Sequence, residues 1–207
     1  EITKEESISS EIHWSGLRAL FGRLDDSFFS LAGRSLQIVD WDRSSLFCGR
    51  CGEKTILGEK ERVKLCQKCQ QRHYPKIAPA VMALVSRGDE FLLARSPHFP
   101  SGMFSALAGF TEPGETLEQT IHREVLEEVG IRINNIRYFS SQPWPFPHSM
   151  MIAFHCDYES GRITCDPNEI EDAQWFSSQK LPSRLPGKIS IARSLLESKL
   201  ARNESAL

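Results

Sequence analysis

The sequence predicts an α+β protein, and the order of its segments leads to that fold class. Two short apolar segments, Val81–Val85 and Phe91–Ala94, flank a Gly88-Asp89 turn and are typical of paired strands. An amphipathic helix is predicted from Leu117 to Val129. Further strands are predicted at 137–142, 149–158 and 162–165, with a last helix from Ser190 to Arg202. Strands mixed with segregated helices favour α+β over a regular alternation.

The composition excludes several classes of protein. The 207 residues are 40% hydrophobic and carry 25 Lys+Arg against 27 Asp+Glu, a formal charge of −2. These values argue against a disordered chain and against a strongly polybasic nucleic-acid binder. The longest apolar run, Ala78–Val85, is far shorter than the ~20 residues of a spanning helix. We expect a cytoplasmic protein that does not bind membranes.

The chain is predicted to have three parts. Residues 1–46 have apolar side chains at helical spacing and predict one or two helices, a segment that we expect to be partial. Residues 47–75 contain four cysteines and predict a zinc ribbon. Residues 76–207 form the main domain and include the C-terminal helix.

The four cysteines of the ribbon occur as two CxxC pairs, Cys48/Cys51 and Cys66/Cys69, with fourteen residues between them. This spacing is one residue below the lower limit of a common zinc pattern. Four thiolates would complete a tetrahedral Zn²⁺, which makes the site structural, with no position for a reacting water. Two disulfides are the alternative, but the chain is long and poor in cysteine for a disulfide scaffold.

Two further cysteines, Cys156 and Cys165, lie in segments predicted as strands around a Ser160-Gly161 turn. A two-residue turn there would place the two thiols opposite each other. The alternative is a pair of free, buried thiols in a reducing compartment, which we favour.

The helix at 117–129 carries the most informative pattern in the sequence. Thr116 and Gln119 predict a capping box, and Gly130 predicts a left-handed C-terminal cap. The apolar stripe of this helix should face the core and consists of Leu117, Ile121, Val125 and Val129. Glu124, Glu127 and Glu128 lie within or beside the same stripe, where like charges repel and burial is costly. A divalent metal bound by these carboxylate oxygens explains this arrangement better than an ordinary solvated acidic face does.

A glycine-containing loop, residues 108–115, leads into this helix and permits close approach of a ligand such as phosphate. The loop and helix together read Gly109-x5-Glu115-x7-Arg123-Glu124-Val125-x-Glu127-Glu128-x-Gly130-Ile131. This pattern resembles the Nudix box at every fixed position. The resemblance implies the Nudix fold, a mixed β-sheet between helices, and hydrolysis of a nucleoside diphosphate linked to another moiety.

A second motif follows at Ser141-Gln142-Pro143-Trp144-Pro145-Phe146-Pro147-His148-Ser149. It is similar to the SQPWPFPxS signature of the NADH pyrophosphatases, a Nudix subfamily that often carries a four-cysteine zinc knuckle. Three prolines in five residues are expected to prevent a ladder strand and to display Trp144 and Phe146 for stacking on a base or nicotinamide ring. The alternative is a surface loop whose aromatic rings pack on the domain.

The resemblance also implies site residues. Glu124, Glu127 and Glu128 would be catalytic and hold Mg²⁺ or Mn²⁺, with Glu128 as the base or the principal metal carboxylate. The Ala108 carbonyl and the Glu169 side chain would complete the metal shell, and an ion pair between Arg123 and Glu115 would shape the loop. The residues implied in substrate binding are Tyr74, Phe110, Gln142, Pro143, Trp144, Pro145, Phe146, Pro147, His148, Ser149 and, more weakly, Glu61 and Ala192.

The function implied by the resemblance is metal-dependent hydrolysis of NADH or NAD to nicotinamide mononucleotide and AMP, by a homodimer. Removal of NAD caps from RNA is a second implied activity, since bacterial members have it. One alternative keeps the enzyme class and changes the substrate to another nucleoside diphosphate, such as ADP-ribose. A second alternative is a zinc-ribbon module that binds nucleic acid, with a Nudix domain that only holds ligand. The intact set of carboxylates weighs against that module.

Overall fold

The computed structural model describes residues 13–204, which form three α-helices, one short 3-10 helix and two β-sheets. The 3-10 helix is Leu17–Leu20, and the α-helices are α1 (Asp26–Ser44), α2 (Leu117–Val129) and α3 (Ile191–Glu204). The strands are β1 (Thr55–Leu57), β2 (Lys64–Cys66), β3 (Arg72–His73), β4 (Ala78–Arg87), β5 (Glu90–Arg95), β6 (Leu107–Phe110), β7 (Ile131–Trp144), β8 (Ser149–Gly161) and β9 (Asp172–Ser177). None of the helices in this range is long and apolar enough to cross a membrane.

The main sheet has six strands in the order β7-β8-β4-β5-β9, and β6 also pairs with β4. The pairing of β4 with β8 is parallel and the other pairings are antiparallel, so the sheet is mixed. Helix α2 packs on one face through Ile121, Val125 and Val129. Helix α3 packs on the other face through Leu195 and Leu196. The predicted α+β class and the sheet between helices are therefore confirmed.

Helix α2 begins and ends as the sequence predicts. The Thr116 side chain accepts from the Gln119 N–H and the Gln119 side chain accepts from the Thr116 N–H, which is a complete capping box. Gly130 ends the helix with a φ of 69°, a left-handed conformation that glycine adopts without steric cost.

The three-stranded sheet β1-β2-β3 forms the ribbon, and α1 is attached to it. The Trp41 indole N–H donates to the His73 carbonyl at 3.0 Å, and the Lys64 ammonium lies 2.7 Å from Asp42. Helix α1 nevertheless exposes part of its apolar side, because Phe28 and Leu31 keep 63% and 60% of their surface. An apolar face of α1 is therefore left uncovered by the described part of the chain.

The prediction of a strand at 162–165 is wrong. Ser160 and Gly161 end β8 and pair with the first residues of β7 instead of forming a turn. The chain then crosses the C-terminal end of α2, where the Thr164 N–H donates to the Val129 carbonyl at 2.9 Å. Cys156 is buried in β8, Cys165 lies in this crossing segment, and both thiols are free. The placement of the two cysteines across a hairpin is therefore also wrong.

The expectation that the prolines prevent a ladder strand is wrong for the first of them. Strand β7 continues through Pro143 to Trp144, which pairs with Ser149 of β8. Proline is tolerated there because β7 is an edge strand, where one side of the backbone needs no ladder partner. The other two prolines lie in the four-residue turn 145–148.

Candidate active site

The three glutamates of α2 do not share one environment. Glu124 and Glu128 lie one helical turn apart beside buried Val125, and only 9% and 6% of their surfaces are exposed. The Glu127 side chain is 62% exposed and lies 3.1 Å from the Arg123 guanidinium. The helix therefore directs two of the three carboxylates inward.

Glu169 joins the inward pair from a separate loop. One carboxylate oxygen each from Glu124, Glu128 and Glu169 lie within 4.8 Å of one another. Oxygen ligands of an octahedral Mg²⁺ are about 3.0 or 4.2 Å apart, so small side-chain rotations would bring these atoms to a shared ion. The structure brings Glu169 to the cluster as the resemblance implies and leaves Glu127 outside it.

The cluster is electrostatically unfavourable without a cation. Burial raises the pKa of Glu128 to about 8, and the negative charges of Glu124 and Glu169 add to the rise. Burial also raises the pKa of Glu124. Glu128 Oε2 is buried and has no hydrogen-bond partner within residues 13–204. A divalent ion fits this donor set, because it would neutralise the carboxylates and satisfy the orphaned oxygen.

Gly109 of β6 lies directly over Glu124. A Cβ atom added to Gly109 would lie 1.9 Å from Glu124 Cδ, so no larger residue fits without moving the carboxylate. Ala108, whose carbonyl is the further implied metal ligand, precedes Gly109 and pairs with Met82 of β4. The absence of a side chain at Gly109 thus allows the β6 backbone to contact the carboxylate cluster.

Arg123 and Glu115 form the predicted ion pair. The Arg123 guanidinium contacts both Glu115 carboxylate oxygens, at 2.6 and 2.8 Å, and donates to the Phe110 carbonyl at 3.0 Å. Hydrogen bonding from Arg123 lowers the pKa of Glu115 to about 2. A further bond of 2.8 Å reaches Glu124. Arg123 therefore ties the glycine-containing loop to the carboxylate cluster.

The substrate residues implied by the motifs lie at one end of the main sheet. Phe110 of β6 pairs with Ala80 of β4, Ala80 pairs with Met151 of β8, and Met151 pairs with Gln142 of β7. Phe110 is 58% exposed, so its ring is accessible from solvent. Tyr74 precedes β4 at the same end of the sheet and is half exposed.

Tyr74 and Glu61 lie together in the ribbon. The Tyr74 hydroxyl donates to Glu61 Oε1 at 3.2 Å, and the Arg72 guanidinium lies 2.7 Å from the same oxygen. Tyr74 and Glu61, both implied in substrate binding, are therefore hydrogen-bonded to each other.

Gln142 and Ala192 have structural contacts in this chain. The Gln142 amide donates to the Ile189 carbonyl and accepts from the Ile191 N–H, both at 2.8 Å, so it fastens β7 to the start of α3. Ala192, in the first turn of α3, is buried in the core.

The aromatic rings of the proline motif pack against the N-terminal segment. Trp144 meets Phe21 at a centroid distance of 5.6 Å and Phe146 at 5.2 Å, while Phe146 lies 6.4 Å from Phe29. Pro145 is buried against Gly33. A cavity of about 750 Å³ lies beside these contacts, and its lining includes part of the motif, namely Gln142, Pro143, Trp144, Pro145 and Ser149. Pro147 and His148 complete the turn and do not line the cavity. The motif therefore combines packing contacts with a ligand-sized opening.

The four ribbon cysteines converge on one point. Their Sγ atoms are 3.5 Å apart in three pairs: Cys48 with Cys69, Cys51 with Cys66, and Cys51 with Cys69. Four sulfurs at 2.3 Å from one Zn²⁺ would be about 3.8 Å apart, which matches this spacing. Thiolate sulfur in a closed tetrahedron is the donor set that a structural zinc requires.

Two residues that contribute to the site have no assigned role in the sequence analysis. Thr120 is fully buried on α2, and its hydroxyl donates to Glu115 at 3.0 Å. Its position four residues before Glu124, on the same side of α2, is the signal for it. Asp166 organises the loop that carries Glu169, and the Asp-Pro-Asn sequence of a turn is its signal.

Comparison with known families agrees with both parts of the site. Residues 76–197 match the NUDIX domain, and residues 43–74 match the NADH pyrophosphatase zinc ribbon domain. A crystal structure of a NUDIX hydrolase from Nitrosomonas europaea superposes with a TM-score of 0.64 at 23% identity, covering 77% of this chain and 92% of that one. That likeness shows the fold alone.

The sequences of curated relatives match nearly the whole chain. The protein named NAD-capped RNA hydrolase NudC from Pseudomonas syringae pv. syringae is 50% identical over 203 residues, which is 98% of this chain and 73% of the relative. The protein of the same name from Pseudomonas fluorescens is 50% identical over 92% of this chain and 68% of its own length. The four ribbon cysteines thus suit a structural Zn²⁺, the catalytic ion of a Nudix hydrolase is Mg²⁺ or Mn²⁺, and the chain belongs to the Nudix hydrolase family, among the members that carry the NADH pyrophosphatase zinc ribbon.

Proposed function

We propose that this protein hydrolyses the pyrophosphate bond of NADH and NAD, releasing nicotinamide mononucleotide and AMP, and that it removes NAD caps from RNA. The observation that carries the proposal is the convergence of Glu124, Glu128 and Glu169 below Gly109. The names of the relatives at 50% identity support the choice of substrate.

In this proposal, water attacks one phosphorus and the bond from that phosphorus to the bridging oxygen breaks, leaving one phosphate on each product. Mg²⁺ or Mn²⁺, when bound, neutralises charge on the pyrophosphate and activates the water. Glu128 has a buried oxygen without a hydrogen-bond partner among the described residues, which suits it to accept a proton or to ligate the ion. Glu124 and Glu169, with the Ala108 carbonyl, complete the donor set.

Glu127 is proposed for a more peripheral catalytic role. Its exposed carboxylate is one residue away from Glu128 and contacts Arg123. It can reach a second ion or a substrate phosphate only from the solvent side of α2. Arg123 and Glu115 act by shaping the loop, because the Arg123 guanidinium is already shared among carboxylates and a backbone carbonyl.

Phe110, Tyr74 and Trp144 are proposed to contact the rings of the dinucleotide. Phe110 and Tyr74 are exposed near one end of the sheet, where a planar ring can stack on them. Trp144 has one edge against Phe21 and also lines the cavity. Pro143, Pro145 and Ser149 line this opening, and Pro147 and His148 complete the turn beside it. Glu61 orients Tyr74.

Replacing Trp144 with alanine is expected to raise KM for NADH more than KM for a minimal diphosphate substrate that lacks a second ring. A ring contact is worth about 1 kcal/mol beyond area burial, which predicts a rise of roughly fivefold. Steady-state kinetics on the two substrates measures the difference.

Trp14→Ala is the matched control, since Trp14 is 73% exposed and lies outside the cavity lining. Equal KM changes on both substrates would show that Trp144 only packs against Phe21 and Phe146.

The proposed activity is tested by chromatography of the products. We expect metal-dependent release of AMP from NADH, and release of nicotinamide mononucleotide from NAD-capped RNA. Comparison of kcat/KM for NADH, NAD⁺, ADP-ribose and capped RNA ranks the substrates. If kcat/KM for ADP-ribose exceeds the values for NADH, NAD⁺ and capped RNA, ADP-ribose replaces NAD(H) as the proposed substrate. If none of these compounds is hydrolysed, the protein is a ligand-binding module.

The domain division, the assembly and the compartment are part of the same proposal. We propose a helical segment, a ribbon and a hydrolase domain at 1–46, 47–75 and 76–207, supported by the two matched families.

A homodimer is supported by the exposed apolar side chains Phe28 and Leu31 of α1, and sedimentation equilibrium measures its mass. A cytoplasmic location is supported by six cysteines without a disulfide.

A further inference from the structure

The loop that carries Glu169 is attached at both ends to the body of the domain. At its start, the Asp166 N–H donates to the Glu128 carbonyl at 3.0 Å. At its end, the Glu171 N–H donates to the Arg95 carbonyl at 2.8 Å, and the Arg95 and Glu171 side chains are 2.9 Å apart. Between these attachments Glu169 is exposed, so its position depends on the backbone that carries it.

Asp166 organises that backbone. Its Oδ1 accepts from the Asn168 N–H and from the Asn168 side-chain amide, both at 2.9 Å. Its carbonyl accepts from the N–H groups of Glu169 and Ile170 at 3.1 and 2.8 Å. These bonds close a tight turn over Pro167, and the buried side chain of Ile170 holds the turn against the core.

Asp166 therefore connects two members of the carboxylate cluster. Its N–H binds the backbone of Glu128, while its side chain and carbonyl set the turn from which Glu169 extends. We infer that Asp166 is a positioning residue that holds the Glu169 carboxylate beside Glu124 and Glu128 in the geometry needed for a divalent cation. This inference rests on the proposed metal-dependent hydrolysis.

Asp166→Ala is expected to weaken Mn²⁺ binding to the zinc-loaded protein by about tenfold, the usual effect of losing a group that orients a metal ligand. Free Mn²⁺ is measured by electron paramagnetic resonance, without any substrate. Asp166→Asn keeps an acceptor oxygen for the Asn168 N–H and should bind Mn²⁺ within about threefold of the wild type. Asp89→Ala makes the same change in an exposed turn and should bind like the wild type.

A double-mutant cycle with Glu169→Ala separates positioning from a general loss of stability. If Asp166 acts through Glu169, Asp166→Ala should have no further effect on Mn²⁺ affinity in the Glu169→Ala background. An undiminished effect in that background would overturn the inference, as would wild-type affinity in Asp166→Ala or equal losses in the Ala and Asn variants.

Glu128→Gln serves as the reference for the proposed function itself. If Glu128→Gln weakens Mn²⁺ binding and Asp166→Ala does not, only the positioning role of Asp166 fails. If Glu128→Gln also binds Mn²⁺ like the wild type, the carboxylate cluster is not the metal site and the proposed mechanism fails with it.

Discussion

Replacing Glu128 with glutamine is expected to reduce the turnover of NADH by at least ~10²-fold, the size of a lost general base or charge-stabilising group. The substitution keeps the shape of the side chain and removes the charge. In the metal-free protein, burial and the negative charges of Glu124 and Glu169 oppose a charge on Glu128, so the melting temperature measured without divalent metal should be maintained or rise. Steady-state kcat and thermal unfolding measure the two effects.

Glu118→Gln is the matched control for this variant. Glu118 lies on the same helix but in its exposed first turn, so the control should retain normal turnover. Near-normal turnover in Glu128→Gln would contradict the proposed mechanism. Lost turnover accompanied by unfolding would instead assign Glu128 a structural role.

Replacing Cys66 with serine is expected to remove most of the bound zinc and to destabilise the ribbon, while the hydrolase domain remains folded. Cys66 is buried, and its Sγ is 3.5 Å from that of Cys51. Structural zinc contributes on the order of 10 kcal/mol to small metal-dependent folds, so loss of one ligand should have a large effect. Metal analysis, with about one zinc per chain expected in the wild type, and thermal unfolding measure the change.

Cys165→Ser makes the same atomic change outside the ribbon and should retain the zinc. Absence of zinc from the wild type, with disulfides found by mass spectrometry, would contradict the zinc site. Loss of activity in Cys66→Ser before any loss of stability would give the ribbon a direct part in the chemistry.

Local sequence signals are sufficient to predict the ends of helix α2 and the convergence of the four ribbon cysteines. Thr116, Gln119 and Gly130 define the ends of α2 through backbone capping, which depends only on neighbouring residues. The spacing of the ribbon cysteines predicts their convergence because each CxxC pair closes within one short turn.

Strand pairing depends on distant segments and is less accessible to local patterns. Pro143 reads as a residue that ends a strand, yet β7 continues through it because the sheet places β7 at an edge. The segment at 162–165 alternates like a strand, but it crosses the end of α2, where Val129 accepts its hydrogen bond. Neither outcome follows from the residues nearby.

The sequence by itself determined the enzyme family, the zinc ligands and the helix that presents the carboxylates, because short-range spacing encodes each of these. Only the tertiary structure separates Glu127 from the other two carboxylates of α2 and shows Glu169, which the family resemblance alone implied, beside them. It buries Glu124 and Glu128, leaves Glu127 in solvent and brings Glu169 from a loop about forty residues away. The physical reason is that metal ligation requires atoms within a few ångströms, and the packing of α2 and its neighbouring loop onto the sheet sets those distances.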